Sequence, residues 1–169
     1  MKKIITSLFV LTVFAINANA QATATATATA TIVTPISITK TADMSFGNIA
    51  VSATTGGTVV LAPAGTRTTG GAGGVTLPAT TGTVTAAAFT VNGNGSYTYA
   101  ITLPSTVTLT RVSGSETMTA SSFTSTPSGT GTLSSGTQNL TVGATLTVAA
   151  AQVAGVYNSG NFNVTVNYN

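Results

Sequence analysis

Apolar residues alternate with threonine or asparagine along most of this chain, and that period of two constrains the fold more than any other feature. Phe89 and Val91 flank Thr90, for example. Such alternation predicts antiparallel strands with one buried and one wet face. No segment keeps an apolar period of 3.6 residues over three turns, and residues 148–153 are the one short helix candidate. The other alternating runs are residues 32–39, 97–103, 107–109, 140–142, 146–148 and 162–168.

Glycine-rich and asparagine-rich segments separate these runs. Residues 92–95 read Asn-Gly-Asn-Gly, which favours a tight hairpin between the strands on either side because both residue types tolerate a positive φ. Short strands between closely spaced turns predict an antiparallel β-sandwich of two sheets. A closed barrel is the alternative, since the pattern does not show whether the sheets close.

Charged residues make up 4% of the 169 residues, and the chain has neither cysteine nor histidine. Zinc and haem sites depend on those residue types, so we expect no metal site and no cofactor. Asp43 and Glu116 are the two carboxylates. The two could act together as the carboxylates of a glycosidase do. The favoured interpretation is that both are exposed charges that keep the protein soluble. With five basic residues in all, we expect no nucleic-acid binding. Two isolated carboxylates offer little for acid–base catalysis, so we expect no catalytic residues.

Residues 1–20 have the three parts of a secretory signal peptide. Two lysines form a positive start, residues 4–16 are mostly apolar, and residues 18–20 read Ala-Asn-Ala. The apolar stretch is shorter than the roughly 20 residues that a membrane-spanning helix needs. We therefore predict export with cleavage before Gln21, no transmembrane segment in the mature chain, and a location in the periplasm, at the cell surface or outside the cell.

Residues 22–31 are a strict alanine–threonine repeat that leads into Ile32. Threonine favours strands, so we predict a strand here, with a disordered arm as the competing interpretation. A two-residue slip of such a repeat changes almost nothing, and its pairing register depends on Ile32 and the residues that follow. In an extended strand the small-residue face consists of Ala22, Ala24, Ala26, Ala28, Ala30 and Ile32.

Six short segments carry a resemblance to a known family. They are MSFGNI at 44–49, GTVVL at 57–61, FTV at 89–91, YTYAI at 97–101, AGVY at 154–157 and VTVNY at 164–168. From residue 31 onward the chain resembles the bacterial domain-of-unknown-function family 4402 (DUF4402). The resemblance implies an immunoglobulin-like sandwich exported by bacteria, often of the Bacteroidetes group. We accordingly divide the chain into a signal peptide (1–20), an arm (21–31) and one sandwich domain (32–169).

More remotely, the chain is similar to the spore-coat-U-like and fimbrial subunits of chaperone–usher pili. Pilins commonly end in an alternating strand that has a penultimate tyrosine and that follows a glycine. Here Tyr168 is penultimate and Gly155 precedes the last alternating run. They also carry an N-terminal extension that completes the next subunit, where this chain has its repeat. Two departures are the absence of a cysteine pair and the small alanine side chains of the repeat.

These features predict an exported, non-enzymatic structural or adhesive surface protein that forms fibres by strand addition. The small-residue face of the repeat is the predicted donor, and the predicted acceptor strand carries Phe162, Val164, Val166 and Tyr168. Expected partners are other copies, other fibre subunits and a periplasmic chaperone. The alternative function is a monomeric carbohydrate-binding module, for which Tyr97 and Tyr99 on one strand face would supply an aromatic platform, although core packing is the commoner role.

Overall fold

Threonine and other β-branched residues favour extended backbone, and they dominate the segments that form strands. The structure is a computed structural model that describes residues 21–169, so the predicted signal peptide lies outside the described residues. Within them every regular element is a strand and every strand pair is antiparallel, which confirms the all-β prediction. The strands are β1 (Ser37–Ala42), β2 (Ser45–Phe46), β3 (Ala50–Val51), β4 (Gly57–Leu61), β5 (Arg67–Gly70), β6 (Val75–Thr76), β7 (Val84–Thr85), β8 (Ala87–Asn92), β9 (Thr98–Thr102), β10 (Thr106–Arg111), β11 (Thr117–Thr126), β12 (Thr130–Thr132), β13 (Thr137–Val148), β14 (Tyr157–Asn158) and β15 (Thr165–Tyr168).

The long strand β13 lies in the middle of an eight-stranded sheet. Residues 137–142 pair with β8, residues 144–148 pair with β4, and β11 runs along the opposite edge. Beyond these neighbours come β1 next to β8, β5 next to β4, and β10 followed by β14 next to β11. The inner face of β13 is buried from Leu140 to the end of the strand, through Leu140, Val142, Ala144, Leu146 and Val148.

Smaller sheets cover that apolar face. A three-stranded sheet of order β12–β9–β15 brings Tyr99 and Val166 into one buried cluster with Leu140. Two short ribbons, β2–β7 and β3–β6, bring Phe46 and Val75 onto the other half of the face. The core therefore lies between antiparallel sheets packed in layers, as in a sandwich. The large sheet ends at β1 and β14 without pairing between them, so it is open and the barrel alternative does not hold.

The predicted hairpin at residues 92–95 is wrong. Strand β8 pairs with β1 and β13, whereas β9 pairs with β12 and β15, so the segment crosses from one sheet to the other. Gly93 N–H donates to the carbonyl of Gly136, and Gly136 N–H donates to the carbonyl of Gly95, each at 2.8 Å. The turn before β13 thus takes the backbone groups that a hairpin would have used.

Strand boundaries also differ from the sequence pattern. The first strand begins at Ser37 rather than at residue 32, and the last begins at Thr165 rather than at residue 162. The helix candidate at 148–153 is the end of β13 followed by a turn. Residues 21–169 contain no helix long and apolar enough to cross a membrane.

The chain divides into two units, Met1–Ile32 and Val33–Asn169. In the described part of the first unit, residues 21–32, no residue belongs to a strand and every residue is exposed, Ile32 to 94%. The strand predicted for the alanine–threonine repeat is therefore not formed within a single chain, and its pairing with another copy stays a prediction.

Candidate functional site

The C-terminal strand β15 is the edge of its sheet. Val166 pairs with Ile101 of β9 and Tyr168 pairs with Tyr99, while no described strand pairs with the opposite edge. Val166 is 7% exposed and points into the core, whereas Thr165 and Asn167 face solvent. An apolar inner face combined with unpaired backbone groups makes β15 a template for another strand.

Just before β15, the predicted acceptor residues Phe162 and Val164 lie outside regular structure. Both are partly buried and pack against the cluster that contains Val166. The ring of Phe162 lies 5.7 Å from that of Phe123 on β11, centroid to centroid. The structure thus brings the four predicted acceptor residues onto one apolar face, although only the last two of them belong to the strand.

A cleft of about 380 Å³ opens between β1 and the segment leading into β15. Its lining combines the apolar side chains of Ile38, Met44 and Phe89 with the charged side chains of Lys40 and Asp43. A second cleft of about 490 Å³ lies between β10 and the same segment, with Leu103 and Val107 in its lining. The acceptor segment is therefore flanked by unfilled space on both sides.

The hydroxyl of Tyr168 makes two hydrogen bonds at the end of β15. It donates to the carbonyl of Thr34 at 2.9 Å and accepts from the backbone N–H of Asn94 at 2.7 Å. The Tyr168 ring also packs against that of Tyr97 at a centroid distance of 5.6 Å. This one side chain connects the end of β15 to the segment before β1 and to the crossing between the two sheets.

The aromatic platform suggested for Tyr97 and Tyr99 does not form. Tyr99 is fully buried, while Tyr97 is 47% exposed. The Tyr99 hydroxyl donates to the side-chain oxygen of Gln138 at 2.7 Å, and burial raises the pKa of Tyr99. Tyr99 is therefore a core residue, and Tyr97 pairs with Tyr168 instead.

The two carboxylates belong to separate ion pairs. Lys40 Nζ, on β1, lies 2.6 Å from Asp43 Oδ1 just after that strand, in an exposed pair. Arg111 Nε donates to Glu116 Oε2 at 2.6 Å across the β10–β11 turn, and this hydrogen bond lowers the pKa of Glu116. Each acid is thus committed to its own base, and residues 21–169 hold no group of three side chains that could ligate a metal.

Sequence reasoning missed one anchoring residue, Arg67. Its guanidinium donates to the carbonyl oxygens of Phe46 and Asn48 and, at 3.3 Å, to that of Thr81. It therefore connects β5 to the end of β2, to the loop after β2 and to the loop before β7. An arginine isolated among threonines was the signal in the sequence, but its three acceptors are distant in the chain.

The geometry defines an antiparallel β-domain whose distinctive feature is an open, apolar C-terminal edge rather than a cluster of reactive side chains. The chain belongs to the family described as domain of unknown function (DUF4402), whose profile matches residues 36–168. No curated protein and no solved structure shows significant similarity to it.

Proposed function

We propose that this chain is an exported, non-enzymatic structural or adhesive protein of the bacterial cell surface, and that its copies build fibres by β-strand addition. The observation that carries the proposal is the edge of β15, which is unpaired within the described residues. The segment that leads into β15 borders a cleft lined by both apolar and charged side chains. An added strand would satisfy the backbone groups of that edge and cover Phe162 and Val164.

The alanine–threonine arm supplies a strand of the required kind. Residues 21–32 are exposed and form no strand within the described chain. On pairing, the alanine face would continue the apolar face of β15 over the core, and the threonine face would stay in water. Because the donor arm and the acceptor edge are different surfaces, the contact is heterologous, and repetition of it gives a filament rather than a closed dimer.

The likeness to fimbrial subunits supports the same proposal. It implies an immunoglobulin-like sandwich that the N-terminal extension of another subunit completes, with a periplasmic chaperone as a further partner. The small alanine side chains imply a shallower contact than bulky donor residues would make, since a buried methyl contributes less than the roughly 1.5–3 kcal/mol of a valine or leucine.

The first test measures the size of the exported protein with and without residues 22–31. We expect polymers that disappear when the arm is deleted. Ala26→Asp should also abolish them, because it places a charge against an apolar face, where burial is costly. Thr27→Asp is the matched control, since it adds the same charge to the wet face, and polymers should persist. Light scattering and electron microscopy report the assembly.

Polymers that survive both the arm deletion and Ala26→Asp would contradict strand donation. A protein that is monomeric with or without the arm and that binds a saccharide would instead support the carbohydrate-binding function. Circular dichroism of each variant shows whether the domain itself remains folded, which separates lost assembly from lost structure.

A further inference from the structure

Two asparagine–glycine pairs follow each other in the segment that crosses between the sheets. They are Asn92-Gly93 and Asn94-Gly95. Such a pair can react with itself, because the backbone nitrogen of the glycine can attack the side-chain carbonyl carbon of the asparagine. Glycine favours the attack, since it has no Cβ to hinder a close approach. The two pairs share this chemistry, so their surroundings decide which of them reacts.

The first pair is held on both of its residues. Asn92 is the last residue of β8, where it pairs with β1 on one side and with β13 on the other. The N–H of Gly93 donates to the carbonyl of Gly136 at 2.8 Å. Gly93 is also enclosed, because a Cβ at this position would overlap the Tyr168 hydroxyl. An attack by the Gly93 nitrogen therefore requires the hydrogen bond to break and the strand end to open.

The second pair lies in a turn outside the strands. Gly95 is exposed, has a φ of 49°, and no atom lies within 4 Å of the position that its Cβ would occupy. Within residues 21–169 its N–H donates no hydrogen bond. Asn94 is partly exposed and belongs to no strand. The attacking nitrogen is therefore accessible without any opening of the fold.

We infer that Asn94 is a site of spontaneous deamidation in the folded protein and that Asn92 is protected, although both precede a glycine. The Gly95 nitrogen gives its proton to hydroxide and bonds to Cγ of Asn94. The side-chain nitrogen takes a proton from water and leaves as ammonia, which produces a cyclic imide. Water then adds to either carbonyl carbon of the imide, and the C–N bond at that carbon breaks. The products are aspartate and isoaspartate, and water is the co-reactant.

The reaction changes both the charge and the turn. Either product adds a third carboxylate to a chain that has two acidic residues. Isoaspartate also turns the backbone carbonyl of Asn94 into a free carboxylate, and this carbonyl accepts from the N–H of Tyr97 at 3.2 Å. The N–H of Asn94 donates to the Tyr168 hydroxyl at 2.7 Å. The modification therefore lies where the end of β15 connects to the crossing segment.

Incubation of the purified, folded protein in mildly alkaline buffer tests the site, because base removes the proton from the attacking nitrogen. Isoelectric focusing detects the acidic species, and fragmentation of the peptide that contains both asparagines assigns the modified residue by mass. We expect Asn94 to react about tenfold faster than Asn92 or more, since the Gly93 nitrogen must first lose a backbone hydrogen bond. The amount of product should rise with pH.

Two matched variants identify the reacting residue. Asn94→Gln should lose the acidic species, because the longer side chain would have to close a larger and less favourable ring. Asn92→Gln makes the same change at the exposed end of β8, and the acidic species should form at the rate of the parent.

Unfolding separates the effect of the fold from that of the sequence. In concentrated urea the rates at Asn92 and Asn94 should converge, because both pairs then lie in an open chain. Equal rates in the folded protein, or a faster reaction at Asn92, would overturn the inference. A folded protein that stays unmodified while the unfolded chain reacts at both positions would show that the turn protects Asn94, and would equally reject the site.

Discussion

At the scale of single residues, polar side chains make specific connections that hold the edge of the domain in place. The Tyr168 hydroxyl joins the carbonyl of Thr34 to the N–H of Asn94. The Arg67 guanidinium joins a carbonyl of β2 to carbonyls of the loops after β2 and before β7. Such groups matter because an alternating sequence determines which face of a strand is buried but not which residues contact each other across the sheets.

Tyr168→Phe should destabilise the domain by about 1–2 kcal/mol, because the ring remains while both hydrogen bonds of the hydroxyl are lost. Urea denaturation measures the change. Tyr97→Phe is the control, since it keeps the paired ring and alters an exposed hydroxyl, and its stability should be close to that of the parent. Equal stability of Tyr168→Phe and the parent would show that the hydrogen bonds of the hydroxyl do not stabilise the end of β15.

Glu116 should make stability depend on acidity. Its hydrogen bond to Arg111 lowers the pKa of Glu116 in the folded state. Its contribution is therefore complete above the unfolded value of about 4.3 and is lost as the pH falls through the lower folded pKa. The free energy of unfolding of Glu116→Gln should lie below that of the parent at neutral pH and converge with it in acid.

Asp43→Asn controls for the change in net charge, since it removes one carboxylate from the other ion pair. A difference in the free energy of unfolding between Glu116→Gln and the parent that stays constant from about pH 6 to about pH 2 would contradict the lowered pKa of Glu116. Equilibrium denaturation across that pH range gives the measurement.

At the scale of elements, β13 organises the domain. Both of its edges are paired, and its inner face supplies residues to both buried clusters. The alternation of leucine and valine with threonine along this strand predicted which side chains are buried. The same alternation could not predict its three strand neighbours, since hydrogen bonding between strands depends on residues far apart in the chain.

Leu146→Ala should cost about 2–5 kcal/mol, because it leaves a cavity under a residue that is 1% exposed. Thr147→Ala is the neighbouring control on the outer face. It should cost at most about 1 kcal/mol, because alanine has a lower strand preference than threonine. Thermal or urea unfolding compares the two. Similar losses from both substitutions would mean that the two faces of β13 are not distinguished as described.

At the scale of the whole molecule, the chain combines a closed core with an open edge and an exposed arm. The layered sheets bury the apolar faces, while β1 and β15 remain terminal strands of their sheets within residues 21–169. With 4% charged residues, the protein has few of the charges that proteins place on exposed edges to prevent association. A surface of this kind is consistent with the proposed assembly of copies.

The sequence by itself determined the all-β class, the inner faces of β8, β10 and β13, and the absence of cysteine and histidine side chains. These are local properties, because the period of two is set by the backbone and can be read over a few residues. The likeness to DUF4402 was likewise carried by short segments of sequence.

Only the tertiary structure decided which strands pair, and it did so against the local pattern in two places. The Asn-Gly-Asn-Gly segment crosses between sheets, because Gly136 takes the backbone groups of Gly93 and Gly95. Tyr97 and Tyr99 separate into a rim residue and a core residue, because Gln138 of β13 lies where it can accept from the Tyr99 hydroxyl. Threonine faces that look alike cannot encode such choices, so they follow from the packing of residues distant in sequence.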